Sequence, residues 1–345
     1  MPLELVAVAP REPVLREYQQ EPTVGPGMVR LRTQFAAPKH GTELGAYRGT
    51  SPFSVARYDS QRQIFVPREA SGPQFPLPLG NMAIGEVTEV GEGVSRFQPG
   101  ERVFGHLSIR ETHTVPEGRL EPAPAGMSPE EIVCWDPAEF AFGAVRDAKV
   151  RLGDRVVIFG MGAIGLMALQ MARLSGAADL IAVDPLANRR ELALQLGADL
   201  ALNPTAGDVS IAVQDRLGGR GADVAIEASG AYPALHEAIR VVGIGGMVAP
   251  LAFYQGEARG LRLGEEAHLN RVTLHFTRAI TDPNRDHPLW DSARIKRQAF
   301  ELLRAGRVSV AGVVAPIVPL REAADAYRWI DEQPGRCVKL GVRFD

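Results

Sequence analysis

The sequence predicts a two-domain α/β protein in which a β-rich barrel domain is joined to a doubly wound parallel sheet. Two observations predict this fold class. The chain has 345 residues, which is more than one ordinary core of about 100–200 residues accommodates. Its hydrophobic pattern also changes near residue 150, where short strands separated by turns give way to strands that alternate with helices.

The first third of the chain predicts the barrel domain. Short apolar segments at residues 29–33, 83–92 and 101–104 are separated by turns rich in glycine and proline at 91–93 and 98–101. Short strands with frequent turns are typical of a barrel or a curled sheet. The tail at residues 337–344 has the same character, so we assign it to the same domain.

The middle of the chain predicts the parallel sheet. Strands are expected at residues 156–159, 180–183, 223–226, 247–251 and 272–276, and helices at 164–175, 187–196, 233–242 and 295–305. Strands that are apolar throughout are typical of a parallel sheet covered by helices on both faces. We therefore predict one domain from residues 1–130 and 306–345 and a second from residues 131–305.

The composition excludes several classes of partner. Lys and Arg (38) nearly balance Asp and Glu (41), for a net charge of −3, so we expect neither nucleic acid nor an anionic membrane to bind. The longest uncharged stretch, residues 156–172, is short for a membrane span, and the N-terminus lacks the pattern of a signal peptide. Two cysteines exclude a disulfide framework and a four-cysteine zinc lobe, and they favour a reducing, cytoplasmic location.

A glycine-rich turn predicts a dinucleotide site. The spacing G-x-G-x-x-G follows a β-branched strand and opens an apolar helix in the segment Gly160-Met161-Gly162-Ala163-Ile164-Gly165. The first glycine permits the tight turn, the second lets a pyrophosphate approach the backbone, and the third lets the helix pack on the strand. The N–H groups at the start of the helix face the anion. We therefore predict that Gly160, Gly162, Ala163, Ile164 and Gly165 contact a dinucleotide.

An acidic residue at the end of the next predicted strand favours NAD over NADP. Asp184 lies nineteen residues after Gly165, which is the spacing of the acid that binds the adenosine ribose and repels a 2′-phosphate. Arg189, five residues further on, is expected beside the same ribose or the adenine, so strict selectivity is left open. A tight turn followed by a surface aspartate is the alternative reading of this pattern.

With these motifs the chain resembles the medium-chain dehydrogenase/reductase superfamily of the zinc alcohol dehydrogenase type, in particular its polyol dehydrogenase branch. The segments that carry the resemblance are residues 160–165, Asp184, Glu227-Ala228-Ser229-Gly230 and the turn pair at 91–103. The resemblance covers the whole chain. It implies a GroES-like barrel, a Rossmann domain, a cleft for nicotinamide between them, and a homodimer or homotetramer. It also implies that the segment Glu227–Gly230 and the strand end Val248–Ala252 line the nicotinamide side, and we take Ala228, Ser229 and Leu251 as their cofactor-binding residues.

The chain departs from this family at the metal-ligand positions. Where the zinc enzymes have a cysteine followed by Gly-Thr/Ser-Asp, this chain has His40-Gly41-Thr42-Glu43, and a Gly-His-Glu segment is replaced by Gly80-Asn81-Met82. The third ligand position corresponds to Asp136. Two ligand positions do not make a catalytic zinc site, which normally uses three, although His106 is a possible third. We therefore predict that no metal takes part in the reaction and that the purified chain holds no stoichiometric zinc.

Without a metal, other side chains must handle the proton of the substrate hydroxyl. Thr42 corresponds to the hydroxyl that relays this proton in the zinc enzymes, and His40 titrates near neutral pH. Asp136 is expected to orient His40 or to bind substrate hydroxyls. The alternative is that His40 is only a polar cleft residue and that Thr42 holds a turn. Of the other histidines, His113 is expected to be structural, and His236 and His268 to lie on the surface.

Three functions remain open. The first is an NAD-dependent oxidoreductase that transfers a hydride between the cofactor and a secondary alcohol, polyol or sugar hydroxyl without zinc. The second is a zinc-free NAD(P)H-dependent reductase of enones or quinones. Such reductases usually prefer NADPH, and Asp184 disfavours that cofactor. The third is a nucleotide-binding protein that has lost its chemistry. In each case the partner is a small molecule, and its identity is not encoded in any residue that we recognise.

Overall fold

The structure is a computed structural model that describes residues 1–68, 72, 74–278, 281–284 and 286–344. The chain divides into two compact units. One consists of Met1–Val133 with Val314–Asp345, and the other of Cys134–Val313. The sequence predicted boundaries after residues 130 and 305, so the units divide a few residues later in each case. The predicted α/β fold class, with a barrel and a doubly wound sheet, is confirmed.

The strands in chain order are β1 (Leu3–Ala9), β2 (Glu12–Glu17), β3 (Met28–Ala37), β4 (Ala56–Asp59), β5 (Ile64–Pro67), β6 (Leu77–Pro78), β7 (Met82–Val90), β8 (Arg102–Gly105), β9 (Thr112–Pro116), β10 (Glu121–Pro122), β11 (Arg155–Phe159), β12 (Asp179–Val183), β13 (Leu200–Leu202), β14 (Ala222–Glu227), β15 (Val242–Pro250), β16 (Thr273–Leu274), β17 (Val314–Pro319) and β18 (Lys339–Arg343). The α-helices are α1 (His40–Tyr47), α2 (Pro129–Val133), α3 (Trp135–Asp147), α4 (Ala163–Leu174), α5 (Ala187–Gln195), α6 (Val209–Arg216), α7 (Tyr232–Val241), α8 (Ser292–Arg304) and α9 (Ala323–Glu332).

The first unit is built around β3. This strand pairs antiparallel with β7, β9 and β18, and the sheet runs in the order β10-β8-β7-β3-β18-β17. A second sheet has the order β2-β1-β6. The C-terminal strand β18 therefore joins the sheet formed by the first third of the chain, as predicted. The core includes Leu5, Leu31 and Ile109, and the rings of Tyr47 and Tyr327 pack edge to face with centroids 5.1 Å apart.

The second unit contains the predicted parallel sheet in the order β13-β12-β11-β14-β15-β16. The chain runs outward from β11 to β13 on one side and from β14 to β16 on the other, so the strand order reverses beside β11. A ligand site is expected at the carboxyl ends of the strands at this reversal. Alternating residues of the strands, such as Val157, Ile181 and Val248, belong to one buried core together with Leu235 and Ile239 of α7.

The predicted elements of the second unit agree with the structure, with differences at some ends. The strand expected at 247–251 already begins at Val242, directly after α7, since the glycines at 243, 245 and 246 allow the irregular pairing at its start. The strand expected at 272–276 is shortened to Thr273–Leu274. The helix α8 begins at Ser292, and Asp291, one of the two residues expected as its cap, accepts a hydrogen bond of 2.7 Å from the Arg294 N–H.

The uncharged stretch at 156–172 forms β11 and most of α4, which are largely buried. In the described parts of the chain, no helix combines the length and the apolar character needed to cross a membrane.

Candidate cofactor and active site

The glycine-rich turn has the shape that the sequence predicts. Gly160 follows β11 with φ +87°, and a Cβ atom there would stand 2.7 Å from the Ser229 backbone nitrogen. A Cβ atom on Gly165 would stand 1.8 Å from the Gly160 carbonyl oxygen. Neither position accepts a side chain without a shift of the backbone. The two glycines therefore hold the start of α4 tightly against the turn.

The second glycine leaves open space where a phosphate would lie. Gly162 is the N-cap of α4, and a Cβ atom built on it would have no neighbour within 4 Å. No side chain caps this helix end, so the N–H groups of its first turn, which have no acceptor within the helix, face outward. Such an end binds anions. The residues present therefore fit the pyrophosphate of a dinucleotide.

Asp184 is held rigidly beside this turn. It directly follows β12, and 3% of its surface is exposed. Its Oδ2 accepts a hydrogen bond of 2.7 Å from the Met161 N–H, and its Oδ1 accepts one of 2.9 Å from the Leu186 N–H. These two bonds fix the carboxylate between the glycine turn and the start of α5. A negative charge in this place suits the ribose diol of NAD.

Two arginines of α5 approach Asp184 in different ways. Arg190 Nη1 donates a hydrogen bond of 2.8 Å to the Asp184 carbonyl oxygen, and it therefore supports the main chain. Arg189 Nη1 lies 3.9 Å from Asp184 Oδ2, which is an ion-pair distance but longer than a hydrogen bond. Arg189 therefore lies beside Asp184, the acid that the sequence predicts to bind the ribose.

The remaining predicted cofactor residues lie along the same edge of the sheet. The Ala228 N–H donates to the Phe159 carbonyl (2.8 Å), and the Leu251 N–H donates to the Glu227 carbonyl (2.8 Å). Ala228, Ser229 and Leu251 thus follow the carboxyl ends of β14 and β15, next to the turn after β11. The predicted cofactor residues therefore lie at the ends of β11, β12, β14 and β15 or in the first turns of α4 and α5.

A buried acid, Glu227, shapes this edge; the resemblance placed it in a segment on the nicotinamide side, but we predicted no role for its side chain. The Glu227 side chain, 0% exposed, accepts hydrogen bonds from the Ser229 N–H (2.8 Å), the Gly230 N–H (3.1 Å), and the hydroxyls of Ser229 and Tyr254. Burial raises the pKa of the Glu227 carboxyl, and these hydrogen bonds oppose that shift. Burial and the nearby Glu227 charge raise the pKa of Tyr254. The network fixes the loop that carries Ser229.

His40 and Thr42 lie at the start of α1 in the first unit. His40 is half-buried and Thr42 is exposed. The Leu340 N–H donates a hydrogen bond of 3.2 Å to His40 Nε2, so Nδ1 carries the proton in the neutral ring. Protonation of the ring requires this bond to break. Residues two apart on a helix point in different directions, so a direct transfer between His40 and Thr42 is not favoured.

Glu43, in the same segment, is the centre of a second network that the sequence did not reveal. Its side chain accepts hydrogen bonds from the Lys39 N–H, the Gly80 N–H (2.9 Å) and the Tyr327 hydroxyl (3.1 Å). Burial raises the pKa of the Glu43 carboxyl. These bonds tie the start of α1 to the turn before β7 and to α9. The next residue in that turn, Asn81, has a buried Nδ2 atom with no hydrogen-bond partner among the described residues.

Asp136 belongs to the second unit, where it occupies the first turn of α3 and is 3% exposed. The start of a helix favours a carboxylate.

The prediction for His236 was wrong. It was expected on the surface, but only 5% of it is exposed, because the face of α7 that carries it packs inward.

Comparison with known proteins decides the family. Residues 163–283 match the family model described as zinc-binding dehydrogenase, and residues 52–133 match the alcohol dehydrogenase GroES-like domain. The chain is 39% identical over 349 residues to D-guloside 3-dehydrogenase of Escherichia coli strain K12, with 99% of each chain covered. It belongs to the zinc-type medium-chain dehydrogenase superfamily, in its polyol dehydrogenase type.

Further relatives agree with this assignment. The (R,R)-butanediol dehydrogenase of Bacillus subtilis strain 168 is 28% identical over 289 residues, which cover 75% of this chain and 78% of the relative. The crystal structure of 2R,3R-butanediol dehydrogenase from Bacillus subtilis superposes with a TM-score of 0.76 at 24% identity, and 99% of each chain is covered. The chain is thus an oxidoreductase of a nicotinamide-dependent family.

The catalytic zinc of this dehydrogenase family does not fit the residues at its first-unit positions. Asn81 and Met82 offer an amide and a thioether, which are poor ligands for Zn²⁺, and His40 Nε2 accepts the Leu340 N–H. His106, the possible third ligand, is exposed.

Proposed function

We propose that this dehydrogenase uses NAD to oxidise a secondary hydroxyl of a sugar, polyol or related alcohol, without a metal in the reaction. The observation that carries the proposal is the buried Asp184 carboxylate, fixed by the Met161 and Leu186 N–H groups beside the glycine turn. It supports the choice of cofactor, and membership of the family supports the class of reaction.

The case for NAD is electrostatic. A 2′-phosphate would carry negative charge to a carboxylate that is buried and cannot turn away without losing two hydrogen bonds. Arg189, 3.9 Å from that carboxylate, partly offsets its charge, so we propose a preference for NAD(H) and not complete exclusion of NADP(H). Equal affinity for both cofactors would favour the alternative, a reductase of enones or quinones that uses NADPH.

The case for a sugar or polyol substrate rests on the relatives. A D-guloside 3-dehydrogenase is 39% identical over nearly the whole chain, and a sorbitol dehydrogenase of Saccharomyces cerevisiae is 27% identical over 301 residues. We propose that the substrate has a secondary hydroxyl on a sugar ring or a polyol chain. The 3-hydroxyl of a glycoside is the first candidate for assay.

The residues of the first unit suggest how the hydroxyl is handled. When NAD is bound, its nicotinamide ring supplies the hydride acceptor. We propose that the Nδ1–H of His40 donates a hydrogen bond to the substrate oxygen, since its Nε2 accepts the Leu340 N–H. The exposed Thr42 hydroxyl would pass the substrate proton towards solvent, and the Asn81 amide would donate to a second hydroxyl of the substrate. Asp136 stays a predicted substrate-binding residue.

Several further expectations stay proposals. We propose a homodimer or homotetramer in the cytoplasm, with small molecules as the ligands. Sedimentation of the purified chain would test the assembly.

The proposal is tested by cofactor titration and a substrate screen. Binding of NAD⁺ and NADP⁺ is measured by calorimetry, and sugars, glycosides and polyols are then screened for NADH formation with and without a chelator. We expect tighter NAD⁺ binding and turnover of at least one of these substrates that the chelator leaves unchanged. Activity that the chelator abolishes and that Zn²⁺ restores would contradict the metal-free reaction.

A further inference from the structure

The helix α7 buries a histidine whose ring makes no hydrogen bond to any of the residues that the structure describes. His236 is 5% exposed, and neither Nδ1 nor Nε2 has a hydrogen-bond partner within the described ranges. Buried polar atoms nearly always have a partner, because removal from water without one is costly. Such an imidazole needs a partner from outside the protein, either an ordered water molecule or a bound ion.

Two glutamates face this histidine from the segment after β15. Glu265 and Glu266 belong to the short π-helical turn Leu263–Ala267, and one ligand atom from each of them and from His236 lie within 4.8 Å of one another. Glu266 Oε1 accepts a hydrogen bond of 3.3 Å from Arg240 Nε. Glu266 Oε2 is buried and, in the described parts of the chain, has no partner. Three buried polar atoms without hydrogen-bond partners among the described residues, two of His236 and one of Glu266, thus belong to this cluster.

The charges around the cluster favour a cation. Arg240 is shared by three carboxylates, those of Asp208, Glu237 and Glu266. Glu265 pairs with Arg262 through a contact of 2.8 Å. Four carboxylates therefore face two guanidinium groups, and the cluster keeps an excess of negative charge when His236 is neutral.

We propose that His236, Glu265 and Glu266 bind a divalent transition metal ion such as Zn²⁺. One imidazole nitrogen and two carboxylate oxygens form a usual ligand set for Zn²⁺, with water completing the coordination, whereas Mg²⁺ and Ca²⁺ prefer oxygen ligands alone. Bond lengths of about 2.0–2.1 Å place the ligand atoms of a tetrahedral site about 3.3 Å apart. The three ligand atoms now lie within 4.8 Å of one another, so binding of the ion would draw the glutamate side chains closer to His236.

The ion would tie α7 to the segment between β15 and β16. The same segment carries Tyr254, whose hydroxyl bonds Glu227 and whose ring lies 5.2 Å from that of Tyr232 at the start of α7. The site is therefore structural, and it takes no part in the proposed reaction. Zinc bound to the purified chain would therefore be lost on substitution of His236 or Glu266 and retained on substitution of His40.

The experiment measures metal binding directly. Full-length chain stripped with a chelator is titrated with Zn²⁺ against a chromophoric competitor, and Co²⁺ is used as a spectroscopic probe. We expect one Zn²⁺ per chain and visible Co²⁺ bands in the wild type. Loss of a ligand in Glu266→Gln or His236→Ala should weaken Zn²⁺ binding by about tenfold or more. Glu257→Gln, which changes an exposed glutamate of the same segment, and His40→Ala should bind as the wild type does.

Two kinds of result would contradict the metal site at His236, Glu265 and Glu266. Unchanged affinity in Glu266→Gln, or no binding by the wild type at millimolar Zn²⁺, would overturn the proposal. Loss of binding in His40→Ala alone would also overturn it and would place the metal at the family position. If His236→Ala does not fold, Glu266→Gln decides the matter, because it replaces one oxygen by an amide of the same shape. Retained NAD⁺ binding verifies that each variant is folded.

Discussion

Replacement of Asp184 by asparagine changes both the stability of the second unit and its choice of cofactor. The side chain keeps its shape but loses its charge and one acceptor. The carboxylate receives the Met161 and Leu186 N–H groups at 2.7 and 2.9 Å, and an amide can receive only one of them. A hydrogen bond to a charged group contributes about 1.5–3 kcal/mol, so the melting temperature of the Asp184→Asn variant should fall by about 3–10 °C.

The effect on cofactor binding follows from the same loss of charge. Hydrogen bonds from the ribose hydroxyls to a carboxylate are about twice as strong as those to a neutral acceptor. When the amide of asparagine replaces the carboxylate as acceptor, the free energy of NAD⁺ binding becomes less favourable by about 1–2 kcal/mol. This change weakens NAD⁺ binding by about 5–30-fold. NADP⁺ loses a repulsion, so its affinity should rise. The ratio of the two affinities should therefore narrow by at least about tenfold, or reverse.

Calorimetric titration of the wild type and the variant with both cofactors measures this ratio, and thermal unfolding without cofactor measures the stability. Asp179→Asn is the matched control. It removes one charge at the other end of the same strand, where Asp179 pairs with Arg216, and it should leave the ratio unchanged. The reasoning is refuted if Asp184→Asn and Asp179→Asn have the same ratio of NAD⁺ to NADP⁺ affinity as the wild type.

Three further predictions concern the active site, the barrel and the glycine turn. His40→Ala and Thr42→Val should each lower kcat by about tenfold or more, since hydrogen-bond and proton assistance contributes about 10²–10⁴-fold, while NAD⁺ affinity measured by calorimetry stays near the wild-type value; unchanged kcat in both would place the chemistry elsewhere. Burial lowers the pKa of His113 to about 4, below its unfolded value of about 6.5, so stability is lost as the pH falls from 6.5 towards 4, by up to about 3 kcal/mol. Denaturant unfolding at several pH values should show this slope, and His113→Gln should flatten it; an equal slope in that variant would exclude His113 as its source. Gly165→Ala, whose Cβ would lie 1.8 Å from the Gly160 carbonyl, should lower both the melting temperature and NAD⁺ affinity, whereas Gly162→Ala should lower NAD⁺ affinity with little change in melting temperature. Equal melting temperatures for the two variants would contradict the different packing at the two glycines.

The sequence alone determined the parts of this protein that depend on neighbours along the chain. A strand, a glycine turn and a helix are contiguous at residues 155–174, so their composition shows both the element types and the role of each glycine. The acid after the next strand is found by spacing, because parallel strands joined by one helix bring their carboxyl ends to the same edge. Asp184 and the glycines at 160, 162 and 165 were predicted for that reason.

Tertiary structure decided what lies between distant segments. Three hydrogen bonds show this. Tyr327 donates to Glu43, 284 positions away in the sequence, Leu340 donates to His40, 300 positions away, and Tyr254 donates to Glu227, 27 positions away. The hydrophobic pattern of the sequence does not reveal such contacts, because they depend on how the strands and helices pack against one another. The surroundings of His236 were equally hidden from the sequence. Its helix α7 was predicted, but the sequence did not show which face of the helix is buried. The nearness of Glu265 and Glu266 depends on how the segment after β15 packs against α7.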